Sequence, residues 1–175
     1  LLGVELTIAD QADRAFKLRN AFRQLGELSI NDQAVSYILI DCPPSLNLLT
    51  VNSLVAADAV MVPLQCEFFA LEGLSQLLQT IEQIRSTLNP RLSIQGVVMT
   101  MFDKRNNLSE QVLQDVRQEM GSLVYDTVIP RNVRLSEAPS YGKPALLYDL
   151  KCAGSQAYLR LATEVIRRER QLNAA

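Results

Sequence analysis

Tyr37-Ile38-Leu39-Ile40 runs straight into Asp41, and Cys42-Pro43-Pro44-Ser45 follows. An apolar run without alternation predicts a strand buried on both faces, as in a parallel sheet covered by helices. The two prolines stop it. Asp41 then sits at the carboxyl end of the strand, the edge where open α/β sheets bind ligands. This is the pattern of a Walker B aspartate, which orients Mg²⁺ beside a nucleotide phosphate. The same string also suits an aspartate that caps a helix or closes a loop, and the local residues leave both readings open.

A Walker B acid works with a loop of the form G-x-x-x-x-G-K-[ST], whose amides cradle the phosphates and whose lysine reaches them. No such loop occurs in these 175 residues, and the seven glycines are scattered. The chain opens on Leu1-Leu2-Gly3 rather than Met. The expectation is a piece of a longer protein whose phosphate-binding end lies upstream.

Histidine is absent, which excludes histidine-based triads and most catalytic zinc sites. Cys42, Cys66 and Cys152 are odd in number and far apart, against a disulfide framework or a structural zinc site. That usage predicts a reducing cytoplasm. No apolar run reaches the length of a membrane span. A net charge of −2 argues against indiscriminate nucleic-acid binding. Cations nevertheless cluster at Lys104-Arg105, at Arg131 with Arg134, and at Arg167-Arg168 with Arg170.

The elements that must position these groups follow from spacing. Ala12, Ala15, Phe16, Ala21, Phe22 and Leu25 mark an amphipathic helix from Gln11 to Leu25, with Asp10 as N-cap. Gly26 to Gln33 reads as a polar loop into the strand ending at Asp41. Leu46 to Ala57 reads as a helix capped by Ser45, and Ala59 to Val62 as a second buried strand closed by Pro63. Leu71 to Leu88 is a long amphipathic helix ended by Asn89-Pro90. Ile94 to Met101 is a third strand, Ser109 to Met120 a helix, and Val124 to Ile129 a fourth strand ended by Pro130. Gly154 to about Gln171 is the last helix. Strands alternating with long helices predict β-α-β units: one α/β domain over residues 1–175, a mostly parallel sheet with helices on both faces, missing its first strands. Such a loss would leave a sheet edge and apolar helix faces exposed.

Three long stretches, Y-I-L-I-D-C-P-P-S-L at 37–46, P-L-Q-C-E-F-F-A-L-E-G-L at 63–74 and V-I-P-R-N-V-R-L-S-E-A-P-S-Y-G-K-P at 128–144, resemble the ParA/Soj partitioning ATPases. These belong to the deviant Walker A group that includes MinD. The resemblance covers nearly the whole chain, from Gly3-Val4-Glu5-Leu6 onward, and implies the C-terminal two-thirds of a doubly wound, P-loop NTPase-like domain. Members bind ATP and Mg²⁺ and form a homodimer when ATP-bound. They bind non-specific DNA, and a ParB-type partner stimulates hydrolysis. The resemblance assigns Asp41 as the Walker B acid holding a Mg²⁺-bound water. Thr100 stands where members carry an Asn that reads adenine. Pro130, Arg131 and Asn132 match the loop beside the base, and Arg105 and Arg134 match cations that grip the DNA backbone. The family's signature lysine loop is absent, so this chain alone is expected not to hydrolyse ATP.

Two other functions stay open at this point. A MinD-like membrane ATPase would end in an amphipathic helix with a bulky apolar face. Here Leu172 is the last bulky apolar residue after Ile166, so no membrane is expected as a partner. A truncated, non-catalytic DNA- or partner-binding remnant is the other.

Overall fold

The computed structural model describes residues 7–8, 10–25, 28–43 and 45–173. The Gly3–Leu6 stretch, Gly26, Pro44 and the Leu172 side chain lie outside them. The chain divides into two compact units, residues 1–60 with 77–93 and residues 61–76 with 94–175.

In the first unit the expected helix from Gln11 starts later. A 3₁₀ turn at Arg14–Phe16 leads into α1 (Lys17–Leu25). A residue from another helix sets this start. Asn52, 4% exposed, accepts the Leu18 N–H at 3.2 Å and donates to the Arg14 and Leu48 carbonyls at 2.7 and 2.9 Å. A long-range side chain thus satisfies helix-start groups that a neighbouring cap would otherwise serve. The expected polar loop contains a hairpin, β1 (Ser29–Ile30) against β2 (Gln33–Ala34). Its two-residue turn holds Asn31 and Asp32 at φ 51° and 61°, the left-handed pair that matches strand twist. Helix α2 (Leu48–Ala56) is capped by Asn47, which accepts the Thr50 N–H at 2.9 Å. Ser45, the expected cap, instead offers its carbonyl to the Thr50 hydroxyl at 2.8 Å. At the far end of α2, buried Asn89 donates to the Leu54 and Ala57 carbonyls at 3.0 and 2.8 Å.

The predicted buried strand ending at Asp41 is not formed. Residues 35–43 carry no strand, and Tyr37, Ile38 and Leu39 are 49, 49 and 90% exposed. A strand needs a neighbour to take its backbone groups, and no ladder among the described residues includes this run.

Strands β3 (Ala59–Gln65) and β4 (Ser93–Thr100) pair, and from Met61 and Ile94 onward they belong to the second unit. Ser93 N–H donates to Asp58 O at 3.1 Å and Cys66 N–H to Thr100 O at 3.2 Å, so the strands run parallel. Pro63 does not end β3. Asp58 and Cys66 face β4, and alternation points Pro63 the other way, where its missing N–H leaves no bond unmade. Gly96 to Met99 are buried without alternation, the pattern of a strand covered on both faces.

Helices α3 (Ala70–Thr87) and α4 (Asn107–Met120) follow expectation closely. The stretch after Asn132, unassigned from sequence, forms α5 (Val133–Glu137), a 3₁₀ turn at Ala138–Tyr141 and α6 (Ala145–Tyr148). Helix α7 (Ala153–Asn173) then lays Ala157, Leu161 and Val165 against Val98, Tyr125 and Ile129. That one-turn repeat forms a core stripe.

The fourth expected strand, Val124 to Ile129, is a broken one. Val124 bridges Val97 and Pro130 bridges Phe102, both parallel. Tyr125 N–H bonds Val97 O and Ile129 N–H bonds Met99 O, each at 2.9 Å. Four residues therefore oppose two, and the surplus backbone bulges away. Glu164 takes up the freed amides, accepting Asp126 N–H and Thr127 N–H at 2.9 Å each. Arg168, one turn on, pairs with Glu164 at 2.8 Å, donates to Ser122 O and Val124 O at 2.9 and 2.8 Å, and covers the Tyr125 ring at 4.3 Å. Gly96 allows the close approach. A Cβ there would stand 2.5 Å from the Tyr125 ring and 2.7 Å from Leu123 O.

Burial alone would raise the Glu164 carboxyl. Hydrogen bonds from the Asp126 amide and from the Thr127 side chain and amide, with the Arg168 charge, outweigh it and hold the group below its ordinary value. Its stabilisation is therefore complete above about pH 4.3 and lost as pH falls through the depressed value. Glu164→Gln leaves half-buried Arg168 without its anion and sets an amide NH₂ against N–H donors. We expect it to lower the unfolding free energy in urea by about 3 kcal/mol at pH 7. It should also flatten the loss of stability below pH 4. An unchanged urea midpoint would show that the bulge holds itself.

Candidate functional site

The carboxyl end of β4 organises the site. Thr100 donates its hydroxyl to Leu64 O at 3.2 Å, and Met101 then turns the chain with φ 54°. Left-handed backbone at a non-glycine residue costs about 1 kcal/mol. Pairing resumes at once: Phe102 N–H bonds Ile129 O at 3.1 Å and Arg131 N–H bonds Phe102 O at 2.9 Å. From this bridge the two basic segments leave side by side. Thr100, Arg105, Pro130, Arg131, Asn132 and Arg134 all lie in the second unit, whereas Asp41, exposed and outside any strand, belongs to the first.

Asp103-Lys104-Arg105-Asn106 is a turn, with Asn106 N–H on Asp103 O at 3.0 Å. The Asp103 side chain folds over it, the habit of aspartate in turns. Its Oδ1 accepts Arg105 N–H and Nε–H, each at 3.0 Å, and Oδ2 accepts Nη2–H at 2.9 Å. Arg105 remains 88% exposed at its side chain. Asn106 caps α4 by accepting Leu108 N–H at 3.0 Å. In the second segment Asn132 caps α5 by accepting Arg134 N–H at 3.0 Å. Arg134 reaches Glu137 at 2.9 Å and Asp149 at 3.6 Å, and Tyr148 donates to the same Glu137 oxygen at 3.1 Å. Both arginines are thus paired. Lys104 and Arg131 are exposed and make no ion pair among the described residues.

The third cluster read from sequence is corrected in part. Arg168 is committed inside the Glu164 clamp, and only Arg167 and Arg170 of the three are exposed. Cys42, Cys66 and Cys152 are free, and burial, with the Glu110 charge, pushes the Cys66 thiol up to about 11. No described helix is long and apolar enough to cross a membrane.

Against known proteins, a family model described as an AAA domain matches residues 1–94, more than half the chain. The chain is 64% identical over 99% of its length to the chromosome partitioning protein ParA of Caulobacter vibrioides. It is 50% identical over 94% of its length to the sporulation initiation inhibitor protein Soj of Bacillus subtilis. The chain belongs to this AAA-domain family, in its ParA/Soj branch. It spans 64% of the ParA relative and 63% of Soj. Among solved structures it resembles cobyrinic acid a,c-diamide synthase from Mycobacterium smegmatis with bound ATP analog and magnesium. There the TM-score is 0.73 at 34% identity, covering 97% of this chain and 59% of that one. The ParA/Soj chain accordingly has a P-loop NTPase-like α/β fold, a parallel sheet with helices.

The residues present fit part of what a nucleotide needs. The Thr100 hydroxyl spends its hydrogen on Leu64 and keeps oxygen lone pairs. Asn132 spends its carbonyl oxygen as a cap and keeps its NH₂. An acceptor and a donor at one sheet edge suit the rim of a heteroaromatic base. No group of three His, Cys, Asp or Glu among the described residues could hold a metal ion. No phosphate loop stands in the sequence, and no hydrolytic step follows from these residues alone.

The Arg105 hydrogen bonds hold the Asp103 carboxyl down to about 2, with a smaller contribution from the Arg131 charge. The ion pair is therefore expected to persist until pH falls toward 2. A carboxyl-detected NMR titration checks this: the Asp103 midpoint should return toward the ordinary value of about 3.9 in Arg105→Ala. A midpoint unmoved by that substitution would show that Arg105 does not set the carboxylate's charge.

Proposed function

We propose that these residues are part of a single ParA-like domain in a chromosome- or plasmid-partitioning ATPase, cytoplasmic and associated with the nucleoid. In this reading the complete protein binds ATP and Mg²⁺, forms a homodimer when ATP-bound and binds non-specific DNA. A ParB-type partner stimulates its hydrolysis. The observation that carries the reading is the 64% identity to a ParA over 99% of this chain, supported by the paired basic segments that leave the Phe102–Pro130 bridge. Asp41 would orient a Mg²⁺-bound water, Thr100, Pro130, Arg131 and Asn132 would face the base, and Arg105 and Arg134 would contact DNA phosphates. Bound ATP would supply the phosphoryl group, and Mg²⁺ its charge neutralisation. The 175 residues, lacking a Walker A loop, would not hydrolyse ATP by themselves.

Two experiments test this on the complete protein. Asp41→Ala should abolish Mg²⁺-dependent ATP hydrolysis while leaving the thermal melt unchanged, and unaltered turnover would reduce Asp41 to a structural residue. Arg105→Ala and Arg134→Ala should each weaken binding to duplexes of any sequence. Each should flatten the log-affinity against log-salt slope by up to about 0.9, one phosphate's share of released counterions.

A further inference from the structure

We propose that Asp103 and Glu137 set the affinity of this surface for polyanions, acting as built-in competitors for the two arginines that would hold phosphate. The inference rests on the DNA-binding reading above and concerns how that same site is tuned. A bidentate guanidinium pair is the geometry that a phosphate would also use, and Asp103 already occupies it with two contacts to Arg105 at 3.0 and 2.9 Å. Arg134 is held by one contact to Glu137 at 2.9 Å, with Asp149 at 3.6 Å on its Nε. A phosphate approaching either arginine meets a carboxylate about 3 Å from the charge it seeks, and must displace or share it.

Both pairs are local. Asp103 and Arg105 stand in one turn, and Arg134 and Glu137 on one short helix, so each can open without unfolding its support. The arginine is the outer partner in the first pair, at 88% side-chain exposure against 21% for Asp103. A polyanion can therefore reach it while the carboxylate stays behind. Asp103 is ionised through the neutral range, as an ordinary aspartate is, and Arg105 holds its carboxyl lower still, so protonation does not relieve the competition there. Lys104 and Arg131, exposed beside these pairs and without ion pairs of their own, supply the part of the surface charge that is not masked.

The test uses the complete protein loaded with MgATP and a random-sequence DNA duplex, with affinity measured across a salt series. Asp103→Asn keeps an oxygen for the Arg105 amide, and Glu137→Gln keeps one for Tyr148, so neither removes the local hydrogen-bonding frame. Asp149 is left alone because its Oδ1 accepts the Lys151 and Cys152 amides at 3.1 Å each. Each variant is expected to bind about two- to fivefold more tightly at low salt, the range set by exposed ion pairs. Its salt slope should steepen by up to about 0.9.

Loss of one negative charge anywhere nearby also favours DNA. Glu110→Gln, an exposed carboxylate in the first turn of α4, measures that background. In an Arg105→Ala background the Asp103→Asn gain should shrink to the Glu110→Gln level, because the competitor then has nothing to mask. An equal gain with and without Arg105 would overturn the proposal in favour of net charge. Weaker binding by Asp103→Asn would overturn it in the opposite sense, making the carboxylate a positioning group for the arginine. If Arg105→Ala and Arg134→Ala both bind as the parent does, the DNA reading fails and this inference fails with it.

Discussion

In the second unit the path of the chain after Val124 depends on one ion pair, buried Glu164 with half-buried Arg168. Between Tyr125 and Ile129 the chain takes four residues to cover what β4 covers in two. Any such bulge leaves amides pointing away from the ladder, and a buried amide without an acceptor costs about 1–3 kcal/mol. The Glu164 carboxylate takes two of them, and Arg168 both balances its charge and collects the Ser122 and Val124 carbonyls. A single turn of α7 therefore fixes the path of a segment about forty residues earlier in the chain. A buried charge pair is weak evidence for stability when a hydrophobic substitute would fit. Here no apolar side chain could replace it, because the groups it serves are backbone donors and acceptors.

That bulge has a consequence at the far end of the strand. It shifts the register so that Ile129 and Arg131 meet Phe102, after Met101 has turned through a left-handed conformation. Without both irregularities the Asp103–Arg105 turn and the Asn132 cap would not leave from one bridge. The site edge is thus assembled from departures from regular strand geometry, in keeping with the placement of bulges and positive-φ residues beside functional positions. Sequence spacing alone gave the correct edge for both basic segments, since each follows a predicted strand, but it could not give the pairing of each arginine with its carboxylate.

Legibility followed the range of the interactions. Helices α3, α4 and α7 and strand β4 were readable because period and local punctuation decide them. The hairpin at Asn31-Asp32 carried a local sign, two residues tolerant of positive φ between short polar strands, that an apolar pattern search passes over. Asn52 and Asn89 were not readable as caps, since each serves helix ends more than thirty residues away in sequence. The strand expected at Tyr37–Ile40 failed for a different reason. Its apolar string meets the composition of a buried strand, but composition does not supply a neighbour, and among the described residues no ladder takes it in. Leu39 accordingly stands 90% exposed.

Charge is where counting misleads most. The net value of −2 argued against nucleic acid, and the three basic clusters argued for it, yet neither number describes the surface. One of the clustered arginines, Arg168, is half-buried and committed to Glu164 and to the Ser122 and Val124 carbonyls. Two more, Arg105 and Arg134, are outside but already neutralised by carboxylates at ion-pair distance. At the β4 edge the cations left without an ion pair among the described residues are Lys104 and Arg131, beside two charge pairs. The field of such a surface is weak at a distance, where each pair looks like a dipole, and strong at contact, where the guanidinium is nearer than its partner. For any charged approach to such a patch, salt screens the long-range part of the field far more than the contact part.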